Sequence, residues 1–209
     1  MSNPPSSPAH AFEMLLEGNR RFVESARLHP NQDADYRASL APGQRPFAVL
    51  FGCSDSRLAA EIIFDQGLGD LFVVRTAGHV AGPEVLGSIE YGIGVLGTPL
   101  VVVLGHDSCG AVTAARQACI EGTAPPGYVR DIVERVTPSV LAARAAGTTE
   151  VDEIVDVHIQ RTIDLMMERS TLLATEVAAG RCAVAGLSYR LAGGTVRLVG
   201  SHGPLRPEG

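Results

Sequence analysis

Leu100-Val-Val-Val-Leu104, an unbroken apolar run closed by Gly105, decides the fold of this 209-residue chain. Such a run is too short for a helix and has no polar alternation. It reads as a strand covered on both faces, the kind that builds parallel sheets. Two similar runs lie upstream, Phe47-Ala-Val-Leu-Phe51 ending at Gly52 and Leu71-Phe-Val-Val74. Cys182-Ala-Val-Ala-Gly-Leu-Ser-Tyr189 is a fourth strand, and residues 195–199, after the turn Ala192-Gly193-Gly194, pair with it as a hairpin. Helical patterns fill the intervals at residues 59–64, 83–96, 110–121, 128–146 and 149–179. The alternation predicts an α/β fold, a single domain with a mostly parallel central β-sheet flanked by helices.

Ahead of the first strand, Ser7-Pro8 followed by Phe12, Leu15, Leu16, Phe22 and Val23 reads as a capped helix with proline at its first position. A connector rich in turn residues (Pro30, Asn31, Pro42, Gly43) follows it. Residues 1–45 are thus expected to form an N-terminal helical arm and connector, and residues 46–209 the α/β core. The arm either packs on its own domain or embraces a partner subunit. The 149–179 stretch is amphipathic, with Ile154, Val155, His158, Ile159 and Ile163 on one side and Gly180 as its stop.

Composition narrows the function. Hydrophobic residues make up 45% and charged residues 19%, enough to bury a core. A net charge of −6 supplies no basic face, so a nucleic-acid partner is not expected. With no Trp, four Tyr and six Phe, aromatic stacking platforms are poorly supplied. No apolar run reaches the roughly 18 residues a membrane span needs. The Pro/Ser-rich start does not resemble a signal peptide, so the expected address is cytoplasmic. Four cysteines are too few for a disulfide scaffold and are expected to be free, metal-bound or catalytic.

Ligands of open α/β sheets gather beyond the carboxyl ends of the strands. There the chain reads Gly52-Cys-Ser-Asp-Ser-Arg57 and Gly105-His-Asp-Ser-Cys-Gly110. If the two strands are neighbours, Cys53, His106 and Cys109 converge. Two thiolates and one imidazole suit zinc, and three protein ligands leave a fourth position open, as a catalytic metal requires. The plainer alternative is two small buried residues and a turn histidine. Asp55 could accept a hydrogen bond from water on the metal or rotate to become a fourth ligand, with Arg57 holding it bidentately. A solvated ion pair is the alternative for these two.

C-x-D-x-R at Cys53, Asp55 and Arg57, with H-x-x-C at His106 and Cys109, resembles the β-class carbonic anhydrases. Phe72-Val-Val-Arg75-Thr-Ala-Gly78 and Ser88-Ile-Glu-Tyr91 fit as well, and the likeness covers nearly the whole chain. It implies one zinc per chain on Cys53, His106 and Cys109, an Asp55–Arg57 catalytic dyad, and reversible hydration of carbon dioxide to bicarbonate and a proton by zinc-bound hydroxide. Two thiolates donate more charge than two imidazoles, so activity is expected to rise on the alkaline side of neutrality. The resemblance further implies a substrate pocket of Gln44, Phe72, Ala77, Gly78 and Tyr91 at a dimer interface, hence a homodimer or homotetramer. In a second subtype, bicarbonate binds a regulatory Trp, Arg and Tyr. Arg75 matches the arginine, but Leu50 stands at the tryptophan position, which puts that switch in doubt.

Other signals are weaker. His79 is a candidate proton shuttle, with a surface-turn histidine the plainer reading. Gly92-Ile-Gly-Val-Leu-Gly97 matches G-x-G-x-x-G but precedes a strand instead of following one. Ser108 lacks the glycine two residues before it that a nucleophile elbow needs. Cys119 and Cys182 read as buried thiols. The rival functions are hydrolysis of COS or CS₂ on the same ligands and a non-catalytic, zinc-stabilised interaction protein.

Overall fold

A computed structural model describes residue 5 and residues 7–205. The outer ends of the arm and core ranges, 1–4 and 206–209, lie outside the described residues. Five strands form one sheet: β1 (Ala48–Cys53), β2 (Leu71–Thr76), β3 (Leu100–His106), β4 (Ala183–Tyr189) and β5 (Val196–His202). Their order is β2-β1-β3-β4-β5. The first four are parallel and β5 returns antiparallel on β4. Every residue of β1, β3 and β4 is buried, which is why those segments carry no polar alternation. β2 is an edge strand and stays half-buried although its first four residues are apolar. Gly52 of β1 pairs with Leu104 of β3, so Cys53 and His106 leave adjacent strands at the same end.

Helices cover both faces: α1 (Pro8–Val23), α3 (Ala60–Ile63), α4 (Pro83–Gly94), α5 (Gly110–Glu121), α6 (Val129–Ala145), α7 (Val151–Arg169) and α8 (Thr171–Ala178). The Ser7 side chain caps α1 by accepting from the His10 N–H, with proline in the first turn as the sequence predicts. A short helix inside the connector, α2 (Ala34–Ser39), capped by Asp33, is not foreseen. None of its residues is buried, so it leaves no apolar periodicity to read.

The single helix expected over 149–179 is two. Ser170 is extended and ends α7. Its Oγ donates to Glu90 (2.6 Å) and accepts from the Leu173 N–H (3.1 Å), which starts α8. The apolar pattern runs through the break, and a serine cap reorients the chain without interrupting it.

Two glycines let α7 lie close on the sheet. Cβ atoms at Gly105 and Gly186 would each sit 2.6 Å from the Ile159 side chain. At the other end, α1 packs on its own chain. A Cβ at Gly18 would fall 1.8 Å from the Phe64 carbonyl oxygen. Buried Asn19 donates to the carbonyls of Ile63 (3.2 Å) and Gly194 (2.8 Å) and accepts from the Val196 N–H (3.1 Å). Among the described residues, no helix is long and apolar enough to cross a membrane.

Candidate metal centre

β1 delivers Cys53, β3 delivers His106, and the turn into α5 delivers Cys109. Their donor atoms all lie within 4.8 Å of one another, and all three residues are buried. His106 Nδ1 stands 2.8 Å from the Asp107 carbonyl oxygen, which can only accept, so the ring proton sits on Nδ1. Nε2 then points its lone pair into the cluster, where it has no hydrogen-bond partner among the described residues. A buried, unpaired acceptor between two thiols fits a divalent cation and has no other evident use. The donor set, two sulfurs and one imidazole nitrogen, is one that zinc favours.

Without a cation the two thiols compete for protons. Hydrogen bonding from the Cys109 thiol lowers Cys53 to about 4, and hydrogen bonding to Cys53 raises Cys109. Burial opposes a charged His106, yet the Cys53 sulfur beside it, most of all as a thiolate, raises its pKa. The Gly78 N–H also donates to Cys53 Sγ (3.3 Å). Gly78 follows β2 in a 3₁₀ turn, Ala77–His79, with a left-handed φ of 63°.

Asp55 lies beside this cluster, its Oδ2 3.8 Å from His106 Nε2. It does not belong to the group of mutually close donor atoms. Instead Arg57 grips both its oxygens, Nε to Oδ1 at 2.9 Å and a terminal nitrogen to Oδ2 at 2.6 Å. The Arg57 backbone N–H also donates to Oδ1 at 2.9 Å. These bonds, led by the Arg57 side chain, hold the Asp55 carboxyl well below the usual carboxylate range.

Sequence reasoning missed the groups that hold these loops. Arg75, read only as a possible regulatory arginine, donates to the carbonyls of Cys53 (3.0 Å) and Asp55 (2.6 Å). On the other loop, Ser108 sits at φ 53°, an uncommon conformation for a residue with a side chain. Asp152 accepts from the Ser108 N–H (3.0 Å), and Arg190 bonds Asp152 (2.6 Å) while lying 3.7 Å from Asp107. Asp152 and Arg190 come from α7 and the end of β4, and no local motif announces them.

The pocket residues do not all gather in one chain. Gly78 stands with the ligands, its N–H on Cys53, and Ala77 precedes it in the same turn. Phe72 and Tyr91 meet each other, ring centroids 6.0 Å apart, but Phe72 is four residues before Thr76, the β2 partner of Cys53. At ~3.3 Å per residue, that is about 13 Å along the strand. Gln44 is exposed at the entry of β1, the end opposite Cys53.

His79 is not a surface residue. It is 0% exposed, its φ is 41°, and neither ring nitrogen has a partner among the described residues. Burial, then the neighbouring His158, pushes its pKa well below the usual histidine value, and a ring closed off from solvent does not suit the proton shuttle considered for it. Cys182 is buried as expected, whereas Cys119 is half-buried.

Residues 48–196 match the family described as carbonic anhydrase. Carbonic anhydrase 2 of Mycobacterium tuberculosis is 56% identical over 205 residues, 98% of this chain and 99% of its own. The carbonic anhydrase of Mycolicibacterium smegmatis is 57% identical over 195 residues, 93% of this chain and 95% of its own. Among solved structures, a tetrameric β-carbonic anhydrase of Sordaria macrospora superposes with a TM-score of 0.72. It covers 91% of this chain and 98% of its own at 21% identity, a likeness of fold.

Proposed function

The chain belongs to the β-class carbonic anhydrases, and from that premise we propose how its own residues carry the reversible hydration of carbon dioxide to bicarbonate and a proton. Cys53, His106 and Cys109 hold one zinc ion per chain. When bound, the zinc supplies the Lewis acidity that makes water a nucleophile near neutral pH. Asp55 and Arg57 are the catalytic pair. The ionised Asp55 accepts a hydrogen bond from the reacting water and so aims the water's free lone pair at the substrate carbon. Arg57 occupies both carboxylate oxygens, which keeps Asp55 an acceptor and restrains it from swinging in as a fourth ligand. Ala77 and Gly78 form the near wall of the substrate site.

Gln44, Phe72 and Tyr91 serve the neighbouring subunit's site in a homodimer or homotetramer. What supports this is their place: Phe72 and Tyr91 meet at the half-buried β2 edge and Gln44 is exposed ahead of β1, with Tyr91 46% exposed. The tetrameric state of the Sordaria relatives agrees with it. Residues 46–209 are the catalytic core and 1–45 its arm and connector. A cytoplasmic address fits four free cysteines, two of them in the metal cluster.

The observation that carries this reading is the buried Cys53–His106–Cys109 cluster with its unpartnered Nε2. Metal analysis and stopped-flow hydration of carbon dioxide test it. Zinc near one equivalent per chain is expected, with Asp55→Ala keeping the metal and losing about 10²-fold or more in kcat. Wild-type activity in Asp55→Ala would remove Asp55 from the mechanism. Sedimentation at micromolar concentration tests the assembly, and a monomer there refutes the shared pocket.

A further inference from the structure

Next to the turn that carries Gly78 lies a group of buried polar side chains that the reaction does not touch. His158 of α7 is 4% exposed and Ser139 of α6 is 2% exposed. His158 Nε2 is 2.9 Å from the Gly78 carbonyl oxygen, which can only accept, so Nε2 carries the proton and donates. Nδ1 is then the acceptor, and it takes the Ser139 hydroxyl proton across 2.8 Å. The His79 ring lies against His158 with centroids 4.4 Å apart, a flat surface that limits tilting of the imidazole.

Gly78 is the residue that donates its N–H to Cys53 Sγ. Its left-handed backbone is enclosed on another side as well, since a Cβ there would meet the Ala111 Cβ at 2.6 Å. Resting on the zinc reading above, we propose that Ser139 and His158 are positioning residues that hold the Gly78 N–H on the Cys53 sulfur. Ser139 fixes the His158 tautomer, His158 anchors the Gly78 carbonyl, and the anchored turn keeps its N–H aimed at the thiolate. A hydrogen bond to a ligand sulfur draws electron density from it and steadies its direction, so groups of this kind tune affinity and electrophilicity from outside the ligand set. The chain of contacts joins α6 and α7 to the end of β1, elements far apart in sequence.

The test uses the full-length protein loaded with zinc or with cobalt(II). In His158→Leu the turn loses its anchor and the N–H···S bond lengthens. The thiolate-to-cobalt charge-transfer band should move to lower energy, and zinc transfer to a chelator should quicken by about 10-fold or more. His158→Gln, which can still donate to Gly78, should restore both to within about 3-fold of wild type. Ser139→Ala should move both in the same direction as His158→Leu, by less. Val140→Ala, a buried neighbour without a hydrogen bond to the turn, controls for lost packing and should lower stability while leaving the band in place. A wild-type band and transfer rate in His158→Leu, or an equal shift in Val140→Ala, overturns the proposal. Should His158→Leu not fold, Ser139→Ala decides, and a wild-type band and rate there overturn it. Failure of the wild-type chain to take up metal would instead overturn the zinc reading.

Discussion

Gly105 stands immediately before the ligand His106, and adding one methyl group there gives a quantitative test of how the site is supported. The new Cβ would lie 2.6 Å from Ile159 Cδ1, 2.7 Å from Cγ1 and 3.2 Å from the His79 ring. Ile159 cannot step aside easily, because it is fully buried and presses equally on Gly186 of the next strand. Overpacking of this kind costs about 1–3 kcal/mol, and with retreat blocked on the Gly186 side we expect the upper half of that range. For a chain of this length each kcal/mol lowers Tm by about 2–4 °C, so Gly105→Ala should lose roughly 5–10 °C. Ile159→Ala alone should cost about 2–5 kcal/mol by opening a cavity. Combined, the two changes should cost less than their sum by about 2 kcal/mol, since the added methyl enters the space that Ile159 vacates. Urea unfolding of the zinc-saturated protein at one fixed concentration measures all four corners of the cycle. Losses that add to within about 0.5 kcal/mol would show that α7 does not press on the metal strand, and would refute the argument.

Three further outcomes follow from the same geometry. Because Arg57 depresses the Asp55 pKa, the stability Asp55 contributes is present above the ordinary carboxylate value of ~3.9 and is lost as pH falls through its lower folded value. Carboxyl NMR should therefore find Asp55 still ionised near that ordinary value, with Arg57→Gln moving its midpoint upward; a wild-type midpoint at the ordinary value contradicts this. Zinc loading near pH 7 should release about one proton, because the Cys53 thiol is held low while hydrogen bonding to Cys53 keeps the proton on Cys109. Calorimetry in buffers of different ionisation heat reads that number, and a release near zero refutes the assignment. Finally, a thiol reagent should label Cys119 in the native protein and leave Cys182 unreacted until unfolding, since burial pushes the Cys182 thiol up to about 12.

Much of this was legible in the chain itself, for identifiable reasons. Strands buried on both faces, such as Leu100–His106, announce themselves because no solvent-facing residue breaks the apolar run. The metal cluster was legible because parallel neighbours bring their carboxyl ends together, so two short motifs about fifty residues apart could be superimposed by topology alone. The failures share a cause as well. His79 reads as a turn residue because the sequence around it is a turn, but the helices that bury it come much later in the chain. Arg75, Asp152, Arg190 and Ser139 support the site through scattered long-range contacts, which have no local periodicity. The helix over 149–179 splits at Ser170 because its side chain satisfies backbone and Glu90 at once, an arrangement that hydrophobic spacing does not encode.

The bonds of Asn19 also bear on how the chain is made. Its amide joins a helix in the first tenth of the molecule to Gly194 and Val196, in the last tenth. During synthesis that helix can meet Ile63 and Phe64 early, but its bonds to Gly194 and Val196 wait until the final hairpin has left the ribosome, so its docking is completed only with nearly the whole polypeptide. Until then its docking is incomplete, and nascent chains arrested short of residue 196 should engage chaperones more than the finished chain.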